Sequence, residues 1–161
     1  MAVPRGPRLA VVLAGIGTAV LLLAVGLSLY ASTRRRSERA LCGANLRILY
    51  LAVRSGESLE SAKWDPLPPG RAFIAARDAW PTAQKREFDP CCPVRGERRE
   101  IDYRGPALPL KRLAPGDPLF ADRDGNHGPE EGGNVVLKSG ALHECGPRDG
   151  IWLRAAATTA D

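Results

Sequence analysis

The residues able to do chemistry are few: Cys42, Cys91, Cys92 and Cys145, with His127 and His143. Four cysteines, an even number in a small loop-rich chain, suit disulfides in an oxidising compartment. They allow three pairings. A vicinal Cys91–Cys92 bridge is strained, which leaves Cys42 with one of the adjacent pair and Cys145 with the other. Each bridge contributes about 2–4 kcal/mol. The rival use is a metal held by Cys91, Cys92, Cys145 and His127 or His143. Zinc sites favour Cys-x₂₋₄-Cys pairs, and adjacent cysteines chelate poorly. The expectation is therefore disulfides, with no metal and no cofactor. No Cys-x-x-Cys or Cys-x-x-Cys-His is present, so thioredoxin-type redox and c-type haem readings fail.

His127 sits in Asp122-Arg123-Asp124-Gly125-Asn126-His127-Gly128. With Asp117 and Glu130 close in sequence, oxygen ligands for a cation such as calcium are at hand, but the spacing is not that of an EF-hand. The preferred reading is a turn in which Asn126 and Asp122 bond their own backbone. His143 falls on a strand and is expected to be exposed. There is no Gly-x-Ser-x-Gly, no phosphate-cradling loop and no His-Glu-x-x-His. Nothing assembles a nucleophile, a base and an orienting acid. No catalytic residue is expected, and the chain is read as non-enzymatic.

These residues must be positioned by a chain whose first feature is apolar. Leu9 to Ala31 carries no charge and is flanked by Arg5 and Arg8 before it and Arg34, Arg35, Arg36 and Arg39 after it. About 20 apolar residues at 1.5 Å each cross a hydrocarbon core of about 30 Å. The run is longer than a signal-peptide core of roughly 7–15 residues, so an uncleaved anchor is expected, with the lipid bilayer as first partner. Arg34–Arg36 suit lipid headgroups. The arginine count favours a cytoplasmic C-terminal side, whereas the cysteines favour an extracytoplasmic one. The extracytoplasmic placement is preferred. Net charge is +5 from 23 Lys and Arg against 18 Asp and Glu, but no aromatics interleave with a basic stripe, so nucleic acid is not an expected partner.

From Ser32 to Val53 the helical pattern continues, interrupted only by Gly43. Leu41, Asn45, Ile48 and Ala52 form one row, and Cys42, Leu46, Leu49 and Val53 form the next. Asn45 within this stripe reads as a core polar residue bonded to a loop backbone. Ser55-Gly56 ends the helix. Asp65 to Gly70 is a rigid proline-rich linker. Arg71 to Trp80 reads as a short helix stopped by Pro81, and Trp64 and Trp80 as core or lid residues. Strand candidates follow at Ile101–Tyr103 and Leu119–Ala121. A hairpin joins Asn134–Leu137 to Ala141–Cys145 through Lys138-Ser139-Gly140. Ile151–Leu153 adds a last strand. The boundaries are a basic segment 1–8, a membrane helix 9–31, an α+β domain 32–154 and a flexible tail 155–161.

Three pieces stand in a telling order: an apolar helix leading into Cys42-Gly43-Ala44-Asn45-Leu46-Arg47, Cys92-Pro93 before a Tyr103 strand, and Asn126-His127-Gly128 before Gly132-Gly133-Asn134-Val135-Val136-Leu137. This order resembles the pilin-like, type II secretion pseudopilin-like proteins of planctomycete-type bacteria. The resemblance implies a long N-terminal helix, its second half amphipathic and packed on a small antiparallel sheet. It implies an inner-membrane protein with a periplasmic domain and a structural or assembly role beside other pilin-like subunits or secretion-system proteins. It makes Asn45, His127 and Asn134 structural motif positions and Gly6-Pro7 the processing site. The chain departs from the family at Pro7, where the family has Phe, and at Val11, where it has the glutamate linked to processing and assembly. In the closing hairpin Ser139 and Ala141 replace an Asp and a His. The alternative function is a membrane-anchored, cysteine-based redox or metal-binding envelope protein.

Overall fold

The computed structural model describes residues 6–55, 69–75, 91–92, 101–128 and 131–160. The chain divides into two compact units, Met1–Arg36 and Ser37–Asp161. Helix α1 runs Gly6–Ser55. In the first unit its side chains from Ala10 to Tyr30 are all exposed, Leu22 at 66%. An apolar window of mean hydropathy 2.5 makes this helix long and apolar enough to cross a membrane. Within the apolar run Thr18 bonds back into the helix, to the Ala14 carbonyl at 2.9 Å, which lowers the penalty of a bare hydroxyl in an apolar medium.

In the second unit α1 changes character. Cys42, Leu46, Leu49 and Val53 are fully buried, as is Ala52, while Leu41, Arg47 and Leu51 face outward. Of the two expected rows, the one beginning at Cys42 is the core stripe. α2 is Arg71–Ala75, the start of the expected second helix; its continuation to Trp80, the linker at 65–68, Trp64, Glu130 and the basic residues at 95–99 lie outside the described residues.

Five antiparallel strands follow among the described residues: β1 Tyr103–Pro106, β2 Pro118–Asp122, β3 Gly133–Leu137, β4 Leu142–Cys145 and β5 Thr159–Ala160. Their order is β4-β3-β2-β1-β5. β2 and β3 are buried along their whole length, as strands covered on both faces must be. Phe120 and Val136 join the α1 residues in one core cluster with Phe73 and Tyr103. Their neighbours Ala121, Val135 and Leu137 join Trp152 and Ala155 in another. The register shifts between Pro118 and Phe120, and both Leu119 and Phe120 belong to the α1-side cluster, as an irregularity that breaks alternation allows.

Two expectations change at the C-terminal end. Ile151–Leu153 is not a strand: α3 spans Gly150–Thr158. Asp149 caps it, its carboxylate accepting from the Ile151 amide at 2.8 Å, and the three alanines that follow favour helix. The stretch from Ala155 is no frayed tail, since Ala155 is fully buried and Thr159–Ala160 pairs with β1.

The expected hairpin is present as β3 and β4. Its turn glycine, Gly140, has φ +91° and lies against the Tyr50 ring, so a Cβ there would sit 2.7 Å from ring carbons. Gly43 has a related role from the helix side: a Cβ would meet Leu142 at 3.2 Å and Asn134 Oδ1 at 3.3 Å. Both glycines lie where helix and hairpin approach closely.

Candidate functional site

The cores of β1, β2 and β3 bring a polar cluster against α1. Cys42 lies in the core stripe of the helix and Cys92 lies across from it, with the two sulfurs 2.7 Å apart. Both residues are buried, at 0% and 1% exposure. The Cys92 amide donates to Asp102 Oδ2 at 2.9 Å, which fixes the cysteine backbone at the foot of β1. Asp102 is itself buried, and its carbonyl accepts from Asn126 Nδ2 at 2.6 Å. Asn126 thus ties the loop after β2 to the residue that holds Cys92.

Asp122 is the centre of the polar part. It has no exposed surface. Its Oδ2 lies 2.8 Å from His127 Nε2 and accepts from the Asn134 amide at 2.7 Å and from Asn134 Nδ2 at 2.9 Å. Asn134 Nδ2 also reaches the Arg39 carbonyl at 3.0 Å, so one side chain links β2, β3 and α1. Asp122 Oδ1 is buried without a hydrogen-bond partner among the described residues. Burial alone disfavours a charged His127, but the hydrogen bond and charge of Asp122 outweigh it and raise the imidazole's pKa. Arg104 covers the other side: Nε donates to the Asp122 carbonyl at 3.1 Å, and the guanidinium lies 4.8 Å from the centre of the Trp152 ring, within cation–π range.

The turn expected of Asp122 to Gly128 forms, the Asn126 amide donating to the Arg123 carbonyl at 3.2 Å and the Gly128 amide to the Gly125 carbonyl at 3.3 Å. The side chains of Asp122 and Asn126 do not serve it as expected; they bind His127, Asn134 and Asp102. Asp117 is used elsewhere, accepting from the Ala114 amide at 2.7 Å. Asn45 is half-buried and donates to the Tyr103 hydroxyl at 3.1 Å rather than to a loop backbone. His143 on β4 is half-buried rather than exposed. Cys145 belongs to the opposite core cluster, where burial first, and then Asp149 and Glu144, push its thiol up to about 11. Gly6 and Pro7 form the first turn of α1.

The Cys42 thiol is pushed far above its ordinary range, by the Cys92 sulfur first and by burial second, so it is not a thiolate nucleophile. Neither sulfur is open to a substrate. Cys42, Cys92 and His127 each offer a ligand atom within 4.8 Å of the others, and Asp122 on the imidazole is the kind of carboxylate partner that orients a metal-binding histidine. A separate open cleft of about 480 Å³ is lined by Arg39, Glu131, Glu144 and Cys145. There Arg39 pairs with Glu131 and, at 3.3 Å, with Glu144. Asp102, Tyr103 and Arg104 carry no spacing signal that sets them apart in sequence. Comparison with protein-family models, with curated proteins and with solved structures finds no match to this chain.

Proposed function

We propose that this chain is a non-enzymatic, single-pass membrane protein with an extracytoplasmic pilin-like domain and a structural or assembly role in a secretion-type, pseudopilus-like system of the bacterial inner membrane. The observation that carries the reading is the change within α1. Its first part is apolar and fully uncovered, and its second part supplies the core stripe of the α+β domain. A helix used this way serves as anchor and as scaffold. The polar cluster supports the same reading, because its buried groups bind one another and leave no reactive atom at a surface. Such a role needs no nucleophile and base. A second reading, a metal-binding envelope protein, draws on the Cys42, Cys92 and His127 ligand atoms.

The test combines a C-terminal topology reporter with the N-terminal mass of the mature protein. An extracytoplasmic C-terminus is expected; a cytoplasmic one overturns the reading. A mature chain starting at Pro7 adds filament processing to it, and an intact N-terminus limits the role to that of an anchored relative of such subunits.

A further inference from the structure

We propose that Cys42 and Cys92 are joined by a disulfide that fastens the second half of α1 to the residue leading toward β1, with Asp102 positioning Cys92 for the bond. The sulfurs lie 2.7 Å apart. Unbonded heavy atoms pack at roughly 3.5–4.0 Å. Two thiolates at about 2.3 Å from a tetrahedral zinc sit about 3.7 Å from each other. The observed approach is longer than the S–S bond of about 2.05 Å but closer than either unbonded arrangement, which places the two thiols within reach of that bond.

The surroundings fit that bond. Both cysteines lie in the apolar α1-side cluster, beside Leu46, Leu49 and Tyr103, where a disulfide needs no hydrogen-bond partner and a thiolate is penalised. The Cys92 amide is held by the Asp102 carboxylate at 2.9 Å, so the choice between the adjacent Cys91 and Cys92 is made by the backbone. Cys91 is the more exposed of the two. The pair is separated by 50 residues, and the bond closes that long segment into a loop whose freedom in the unfolded chain it removes.

Bond formation removes two protons and two electrons from the two thiols. The oxidant is a protein disulfide. A thiolate from one cysteine attacks it, giving a mixed disulfide and releasing one thiol of the oxidant. The second cysteine then attacks the mixed disulfide, forms the Cys42–Cys92 bond and releases the other thiol. Because both sulfurs are buried in the folded domain, the exchange takes place before α1 closes on the sheet. The supply of this oxidant rests on the extracytoplasmic placement proposed above.

The experiment uses the full-length protein purified from membranes in detergent. It is denatured, alkylated without reduction, cut with trypsin and mapped by mass. The expected product links the peptide 40–47 to the peptide 87–95. The link is retained in Cys91→Ser and lost in Cys92→Ser. Reduction of the wild-type protein is expected to lower the melting temperature by about 10 °C. Quantitative alkylation of Cys42 in the unreduced wild-type protein overturns the proposal. So does a link that survives Cys92→Ser but not Cys91→Ser, or one equivalent of zinc on protein whose thiols are free. Fragmentation of the linked wild-type peptide between Cys91 and Cys92 assigns the bond even if a variant does not fold. The C-terminal topology reporter is read separately, so a cytoplasmic domain sinks the functional reading while the peptide map alone decides the bond.

Discussion

The two parts of α1 obey opposite rules on the same helical backbone. Around Leu22 the apolar side chains point outward on every side, and none is buried by protein. Around Leu46 and Leu49 one apolar stripe is buried completely, with Leu41, Arg47, Leu51 and Arg54 on the outer surface. A helix apolar all round needs an apolar solvent, whereas a one-sided helix needs a neighbour. Composition sets the first part, and position sets the second. Substitutions should therefore be tolerated by chemistry in one part and by shape in the other.

The largest effect should come from the buried carboxylate that secures the second part. Asp122→Ala removes the acceptor shared by His127 and Asn134 and leaves their donors unpaired in a dry site. A loss of about 3–5 kcal/mol is expected, read as a lowered denaturant midpoint, with membrane association unchanged. Equal loss of association would erase the distinction between the two parts. Next in size, Leu49→Ala opens a cavity in the α1-side core and should cost about 2–5 kcal/mol. Leu22→Ala removes the same atoms from an uncovered position and should leave the domain's melting temperature unaltered. Parallel thermal melts of the two variants sharpen the contrast directly.

The smallest effect is one of pH. His127 has a raised pKa in the folded protein because Asp122 outweighs the penalty of burial. The folded state therefore holds its proton more tightly than the unfolded chain. The stabilisation is complete below about pH 6.5, the unfolded value, and is lost as pH rises through the raised folded value. Denaturation curves across that window should show falling stability, and His127→Gln should flatten the slope. The uncharged run of α1 contains no acid, base or histidine, so membrane association should not vary over the same range.

The same division explains what was readable in the sequence. The 50-residue helix was legible because both of its signals, an uncharged run and a stripe at helical spacing, are local. The β3–β4 hairpin was legible because its turn residues sit between two apolar runs. α3 was not, since Ile151-Trp152-Leu153 is too short to show a period and the deciding signal is the Asp149 cap. The polar cluster was the least legible part. Asp122 opens a run whose composition reads as a turn, yet its partners include Asn134, twelve residues on, and the site that Asn134 links to includes Arg39, far back in the chain. Four cysteines were visible at once, but the choice of Cys92 over Cys91 depends on Asp102, which nothing in the spacing marks.

The sheet has one further consequence. Its outer strands are β4, with four residues, and β5, with two. Such short borders give another chain little backbone to pair with. Recruitment of partners by adding a strand is therefore poorly served, and any lateral assembly of these domains must be built from side chains and helices. The brevity of the borders also protects a domain whose strands β2 and β3 are buried along their whole length: two copies can collide edge to edge without fusing into a continuous sheet.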